Sequence, residues 1–139
     1  RVINYIKHYA PALIFSASPT PASVAAALAA LDILEEHPEL VTKLIRNATK
    51  VRNAFKEAGF KVTEGRTAIV PVIVGDDGLA FKMWRMLYDA GVFVNVFISP
   101  GVPAGRQMMR TSYMAAHEDS HLDSIVDIFK DVGKKLGVI

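Results

Sequence analysis

The sequence predicts an α+β fold, a two-layer sandwich in which helices cover one face of a small, largely antiparallel sheet. From Pro38 onward the apolar periodicities and turn signals follow the order α-β-β-α-β-β-α. Strands that come in consecutive pairs favour antiparallel pairing, whereas a strict β-α-β alternation would favour a parallel sheet. At 139 residues the chain suits one compact domain. We therefore expect residues 38–139 to form the sandwich and residues 1–37 to be a separate helical segment.

The N-terminal segment is predicted to contain two helices. The first covers Val2–Tyr9 and stops at Pro11, and residues 15–21 hold too many prolines and small hydroxylated residues for regular structure. The second helix covers about residues 22–36 and is apolar on nearly every side, so in water it must be buried against another domain or subunit. Because Arg1 is not Met and no cap precedes the first helix, we expect this segment to be the end of a larger domain.

The first half of the sandwich is predicted to contain one helix and two strands. The helix begins at Pro38, a residue favoured in the first turn, and ends at Gly59, which suits a C-terminal cap. Residues 60–63 form a weak strand, and residues 68–74 form a stronger, more apolar one. Because Pro71 cannot donate to a strand ladder, we expect it at a sheet edge or at a bulge.

The second half places another strand pair between two helices. Residues 76–78, Asp-Asp-Gly, are predicted to form a turn before the next helix. Residues 92–98 and 107–114 are predicted strands, joined by a loop rich in glycine and proline. Asp119 or Ser120 is predicted to cap the last helix. The apolar stripe of that helix has helical spacing and consists of Leu122, Ile125, Val126, Phe129 and Leu136.

Composition excludes several classes of protein. Lys and Arg number 16 against 14 Asp and Glu, and the resulting net charge of +2 is too small to indicate nucleic-acid binding. The absence of cysteine excludes disulfides, and a hydrophobic fraction of 51% excludes intrinsic disorder. The most apolar stretch, residues 22–34, is too short to cross a bilayer, and the N-terminus does not resemble a signal peptide. We expect a soluble, cytoplasmic protein with no nucleic-acid partner and no transmembrane segment.

One local motif has the letters of a zinc site. His117-Glu-Asp-Ser-His121 matches H-E-x-x-H, a pattern that places two imidazoles on one helical face. Here the last helix is predicted to begin inside the motif, so the two histidines would not share a face, and no later histidine supplies a third ligand. We therefore expect a helix-capping turn and no metal site. Asn47-Ala-Thr49 fits a glycosylation acceptor, but it lies in the middle of a helix and is given no role.

Residue chemistry alone leaves two alternative roles for each of two features. Arg110 lies in an apolar strand, where a guanidinium requires a carboxylate or phosphate partner unless the strand is an edge and the side chain points to solvent. In the loop before the second helix, Ser16, Ser18 and Thr20 would offer hydroxyl groups to a phosphate. The alternative is a loop that only caps the helix after it.

Five blocks of sequence, none of them decisive alone, are specific as a set through their order and their spacing along the chain. They are Phe15-Ser-Ala-Ser-Pro19, Ile69-Val-Pro-Val-Ile-Val-Gly-Asp76, Gly91-Val-Phe-Val-Asn95, Pro100-Gly-Val-Pro-Ala-Gly105 and Met109-Arg-Thr-Ser-Tyr-Met-Ala-Ala-His-Glu118. Over its whole length the chain resembles the C-terminal part of the α-oxoamine synthases, a branch of the fold-type-I pyridoxal 5'-phosphate (PLP) enzymes. That family includes 8-amino-7-oxononanoate synthase, 2-amino-3-ketobutyrate coenzyme A ligase and serine palmitoyltransferase. The resemblance implies that the sandwich is the C-terminal small domain of such an enzyme.

The resemblance also implies a mechanism. In this family a lysine holds PLP as an internal aldimine, an amino acid displaces it, and the resulting carbanion attacks an acyl-coenzyme A (acyl-CoA) thioester. Loss of CO₂ then leaves an amino ketone. By family position Arg110 binds the substrate carboxylate, and Ser16 and Ser18 lie near the cofactor phosphate, reached across the interface of a homodimer. His117 follows Arg110 in the family pattern without an assigned role.

The lysine that carries the cofactor is expected upstream of Arg1. None of the nine lysines of this chain lies in the Ser/Thr-rich segment that surrounds that lysine in the family. The resemblance therefore implies no catalytic residue in these 139 residues, and a chain that is inactive and binds no PLP when alone. The alternative prediction is a non-catalytic α+β module that dimerises or binds a small ligand.

Overall fold

The computed structural model describes residues 1–139, and the chain divides into two compact units, Arg1–Pro38 and Glu39–Ile139. The helices of the first unit are α1 (Val2–Tyr9), α2 (Pro11–Ile14) and α3 (Pro21–Glu36). As predicted, α1 ends before Pro11. The same proline also opens α2, which the sequence did not predict, because the first turn of a helix does not use the N–H that proline lacks.

The helices of the first unit present apolar side chains to the surface. None of their residues is buried, and Val24, Leu28 and Leu31 of α3 are each more than half exposed. An exposed apolar surface of this extent is typical of a region that another domain or subunit covers. That this unit is the end of a larger domain stays a prediction. Neither α3 nor any other helix has the length and apolar character needed to cross a membrane.

The second unit confirms the predicted α+β sandwich. Its elements are α4 (Glu39–Glu57), β1 (Lys61–Val62), β2 (Ile69–Ile73), α5 (Asp77–Asp89), β3 (Asn95–Phe97), β4 (Met108–Ser112) and α6 (Asp119–Leu136). The strands form one antiparallel sheet in the order β1-β2-β4-β3. Helix α4 packs against β1 and β2, α5 packs against β3 and β4, and α6 packs against both helices. The helices thus form one layer and the sheet forms the other.

The core lies between these two layers. Val72 and Met109, which are register partners in β2 and β4, are fully buried and face the helices. Phe55, Phe60 and Phe129 form an aromatic cluster, in which the ring centroids of Phe55 and Phe129 are 4.7 Å apart. Because side chains alternate along a strand, the residues on either side of Val72 and Met109 project from the opposite face of the sheet.

Pro71 lies inside the sheet, contrary to the edge or bulge that the sequence predicts. β2 pairs with both β1 and β4. The carbonyl of Pro71 accepts a hydrogen bond from the Thr63 N–H at 3.3 Å, so the nitrogen of Pro71 faces the side of β1 as well. β1 ends at Val62, directly before Thr63. The proline is tolerated because its missing N–H would face the β1 side of the sheet at a position where the β1–β2 ladder has already ended.

Several predicted boundaries are wrong. Residues 76–78 do not form a separate turn, because Asp76 is the N-cap of α5 and its Oδ1 accepts from the Leu79 N–H at 2.8 Å. The strand predicted at residues 92–98 is reduced to the three residues of β3. The last helix begins inside the H-E-x-x-H motif as predicted, but its N-cap is Glu118 instead of the residues proposed from sequence.

Candidate functional site

Arg110 lies in the interior of the sheet and not at its edge. β4 pairs with β2 on one side and with β3 on the other, and Arg110 is the register partner of Pro71 and Asn95. Since Met109 faces the helices, Arg110 projects from the uncovered face of the sheet, together with its two partners. The alternative of an edge-strand arginine is therefore wrong.

The guanidinium of Arg110 is held in place but not neutralised. Its Nε is buried and has no hydrogen-bond partner, and Arg110 belongs to none of the ion pairs of the chain. Its Cζ lies 4.9 Å from the centroid of the Phe97 ring, a cation–π contact of the kind that contributes roughly 0.5–2 kcal/mol. Neither Nη atom is among the buried unpaired groups, and neither hydrogen-bonds within the chain. Both are open to a ligand.

This arrangement suits the binding of an anion. A guanidinium presents N–H donors in a planar fork that matches the two oxygens of a carboxylate or phosphate. A partly desolvated cation without a counter-ion is unfavourable, and a bound carboxylate would remove that cost. Arg110 is therefore the centre of a candidate anion site on the uncovered face of the sheet.

Ser16 and Ser18 lie in the first unit, between α2 and α3. The Ser16 hydroxyl donates its only proton to the carbonyl of Leu13 at 2.7 Å. Ser18 is exposed and has no hydrogen bond within the chain. Because ionised phosphate oxygens only accept hydrogen bonds, Ser18 is the one of the two predicted serines whose hydroxyl is free to donate. Thr20 caps α3, with its Oγ1 accepting from the Ser23 N–H at 3.3 Å, so this loop does have a capping role.

The two histidines of the H-E-x-x-H motif stabilise the turn before α6. His117 Nδ1 accepts from the Met114 N–H at 3.2 Å, and His121 Nδ1 accepts from the Glu118 N–H at 3.3 Å. Because α6 begins at Asp119, His117 lies outside the helix, and the two imidazoles do not share a helical face. Turn formation and helix capping explain the motif.

Asn47 holds the segment that follows the strand of Arg110. It is fully buried in α4, and its Nδ2 donates to the carbonyls of Met114 and His117 at 3.1 and 3.2 Å. No role is assigned to Asn47 from the sequence, although its position on the helix indicates a buried polar side chain. It lies on the same helical stripe as Leu44 and Val51, where a polar side chain is costly unless it is hydrogen-bonded. Asn47 thus fixes the path of the chain from β4 to α6.

Replacing Asn47 by alanine is expected to lower the free energy of unfolding by about 2–3 kcal/mol, because two carbonyls lose their common donor. Asn53→Ala is the matched control: Asn53 is exposed on the same helix, and its replacement is expected to change the value by less than about 0.5 kcal/mol. Urea unfolding followed by the fluorescence of Trp84, the only tryptophan, measures both. Equal effects of the two variants would contradict the role given to Asn47.

Ion pairs join the start of α6 to α4. Asp119 accepts from Arg46 at 2.8 Å and from Lys50 at 3.2 Å, and Lys50 also pairs with Asp123 at 2.7 Å. The hydrogen bonds from Lys50 and Arg46 hold the pKa of Asp119 below its ordinary value. The associated stabilisation is therefore present above the ordinary pKa of an aspartate and is lost as the pH falls through the lowered one. These side chains are exposed, so the ion pairs orient α6 more than they stabilise it.

Residues 1–129 match the family model described as aminotransferase class I and II. The match extends over both units and includes Ser16, Ser18 and Arg110. The chain belongs to the class I and II aminotransferase family. Within this family, similarity to serine palmitoyltransferase and 8-amino-7-oxononanoate synthase confirms the resemblance to α-oxoamine synthases that the five sequence blocks indicate.

The relatives of this chain include serine palmitoyltransferases and 8-amino-7-oxononanoate synthases. The chain is 41% identical over 115 residues to a serine palmitoyltransferase of Bacteriovorax stolpii, covering 83% of this chain and 27% of that protein. It is 34% identical over 139 residues to a putative 8-amino-7-oxononanoate synthase of Acetivibrio thermocellus, covering 100% of this chain and 36% of that protein. A solved serine palmitoyltransferase with a PLP internal aldimine has a TM-score of 0.89 at 32% identity, over 99% of this chain and 35% of that one. The chain spans about a third of the length of these relatives.

Arg110 and Ser18 fit contacts to an anionic group, whereas three of the nine lysines do not suit covalent attachment of PLP. Arg110 and Ser18 have donors without partners inside the chain. The nine lysines lie on helices or on β1, as predicted, and none of them is buried. Lys50, Lys56 and Lys130 form surface ion pairs with acidic side chains. A lysine that forms a covalent adduct is activated by desolvation or by a neighbouring cation, and those three have the opposite environment.

Proposed function

We propose that this chain is the C-terminal part of a PLP-dependent acyl-CoA:amino-acid C-acyltransferase of the α-oxoamine synthase type. The reaction joins the Cα of an amino acid to the carbonyl carbon of an acyl-CoA. The thioester C–S bond breaks and releases coenzyme A, and the amino-acid carboxylate leaves as CO₂, so that an amino ketone remains. PLP, when bound, supplies the electron sink for the electron pair at Cα. Family membership and the kinds of relative found support this proposal.

The observation that carries the proposal is the unpaired guanidinium of Arg110. Its two open Nη atoms would bind the carboxylate of the amino acid in a forked pair, with the ring of Phe97 behind the guanidinium. Holding the carboxylate fixes the orientation of the Cα substituents, and orientation is what the protein contributes to a cofactor-driven reaction. An uncharged side chain at this position, or an arginine already paired with a carboxylate of the protein, would not hold the substrate carboxylate.

The first unit supports the rest of the proposal. Ser18, whose hydroxyl is free, would donate to the phosphate of PLP; Ser16 would do so only after releasing the carbonyl of Leu13. The apolar surface of α3 requires a cover, as expected for an enzyme that acts as a homodimer with Ser16 and Ser18 close to the interface. The lysine that carries PLP would belong to another part of the full-length protein, which leaves this chain inactive alone.

Borohydride reduction in the presence of PLP tests the absence of a cofactor lysine. We expect the 139-residue chain to show no stoichiometric, single-site adduct on any of its nine lysines when the reduced protein is analysed by peptide mapping. The full-length protein treated in the same way is the positive control and is expected to give one adduct outside these residues. A single stoichiometric adduct within the chain would refute this part of the proposal.

The activity is tested with the full-length protein. Release of coenzyme A from an acyl-CoA is measured with glycine, alanine or serine, and CO₂ is measured in the same reactions. We expect the amino acid and the acyl-CoA to be required together, with one CO₂ formed for each coenzyme A released. Coenzyme A release that does not depend on an amino acid would indicate thioester hydrolysis and would contradict the proposed reaction.

A further inference from the structure

We propose that Phe97 is a positioning residue that orients the guanidinium of Arg110 toward the substrate carboxylate. The inference rests on the proposed function and adds a residue that the family resemblance does not assign. Its basis is the contact between the Phe97 ring and the guanidinium at 4.9 Å, combined with the lack of any other partner for that guanidinium.

The register of the sheet brings the two side chains together. Asn95 is the partner of Arg110 across the β3–β4 ladder, and Phe97 is two residues further along β3, opposite Met108. Asn95, Phe97, Met108 and Arg110 therefore project from the same face, with Phe97 and Arg110 on a diagonal. Diagonal neighbours on one face are within reach of an aromatic ring and a long side chain.

An aromatic partner leaves the binding capacity of an arginine intact. A carboxylate partner would occupy the N–H donors and cancel the charge that a substrate carboxylate requires. The face of a ring attracts the cation through its quadrupole and uses none of the N–H groups. Phe97 thus restricts the guanidinium plane without competing with the substrate.

Three other arginines of the chain, Arg46, Arg52 and Arg85, are held by oxygen acceptors. Arg46 pairs with Asp119, Arg85 pairs with Asp89, and buried Arg52 donates to backbone carbonyls. Each of those guanidinium groups has at least one terminal nitrogen engaged by an oxygen acceptor, although the Nε of Arg52 has no partner and Arg85 also lies 5.9 Å from the centroid of the Tyr88 ring. Arg110 is held by a ring alone, with its Nε covered and its Nη atoms open. This difference is what indicates a binding role for Arg110 and an orienting role for Phe97.

Kinetics of the full-length enzyme test the proposal. Phe97→Leu keeps an apolar side chain of similar size but removes the ring, and we expect it to raise KM for the amino acid about tenfold, equivalent to about 1.4 kcal/mol. KM for the acyl-CoA should stay within about twofold. Phe97→Tyr retains the ring face and should restore KM for the amino acid to within about twofold of the original. Phe93→Leu is the matched control, because Phe93 is 78% exposed and has no ring contact.

A spectroscopic measurement separates failure of this inference from failure of the proposed function. Ring currents of Phe97 should displace the NMR signals of the Arg110 side chain in the full-length protein, and titration with an amino acid, followed at those signals, gives a Kd without turnover. We expect Phe97→Leu to move these signals and weaken binding about tenfold, with Phe97→Tyr retaining both. Unchanged signals, or shifted signals with unchanged Kd and KM, would overturn the inference. Amino-acid binding that Phe97→Leu weakens, without any coenzyme A release, would refute the proposed reaction while supporting the role of Phe97.

Discussion

Methionine in place of Arg110 is expected to lower kcat/KM for the amino acid at least 100-fold in the full-length enzyme. A ratio of that size corresponds to a free-energy difference of about 2.7 kcal/mol or more. The reason is the loss of a forked, charged donor group on the uncovered sheet face that has no hydrogen-bond or ion-pair partner within the chain. Removing one member of a close charge pair typically costs about 2–5 kcal/mol. Arg110→Lys retains the charge but not the planar fork, so an intermediate loss is expected. Steady-state kinetics with the amino acid varied at saturating acyl-CoA measure all of these values.

The matched control for this variant is Arg85→Met. It removes the same charge from an exposed arginine on α5, where the guanidinium pairs with Asp89 at 2.9 Å. We expect kcat/KM to change less than about twofold, since a surface ion pair contributes little. Similar losses from Arg110→Met and Arg85→Met would mean that net charge matters and that the site at Arg110 does not.

Alanine in place of Phe129 is expected to produce the largest loss of stability, about 3–5 kcal/mol in the free energy of unfolding. Phe129 is fully buried in α6 and its ring lies 4.7 Å from Phe55 and 6.1 Å from Phe60. The substitution removes apolar contacts to both rings and leaves a cavity beside them. Urea unfolding followed by Trp84 fluorescence measures the change.

Phe93→Ala provides the matched control for the core variant. The same ring is deleted, but Phe93 is 78% exposed, so the free energy of unfolding is expected to change by less than about 0.5 kcal/mol. If both phenylalanine variants destabilised the protein equally, the aromatic cluster would not be the centre of the core.

The helices and the fold class follow from local patterns. The stripe from Leu122 to Leu136 has helical spacing and predicts α6 closely, because that face is buried against α4 and α5. The paired strands predict the antiparallel sheet. The ends of elements are less predictable, since they depend on which polar group caps a helix. Asp76 takes the capping position of α5 by accepting from the Leu79 N–H, and a pattern of turn-forming residues does not distinguish this from an isolated turn.

The candidate site depends on contacts between distant parts of the chain. Arg110 is conspicuous in sequence as a cation in an apolar strand, but its interior position depends on strand order, which decides whether β4 is an edge. Phe97 reads as an ordinary strand residue until the β3–β4 register places it diagonally from Arg110. Ser16 and Ser18 look equivalent in sequence, yet the Leu13 carbonyl occupies the hydroxyl of one and not the other.

A crystal structure of the full-length protein with PLP and a bound amino acid would test the role of Arg110 most directly. We expect the amino-acid carboxylate to accept hydrogen bonds from Nη1 and Nη2 of Arg110, at about 2.7–2.9 Å, while the guanidinium stays over the ring of Phe97. A carboxylate bound by other residues, with Arg110 paired to an acidic side chain of the protein, would contradict that role.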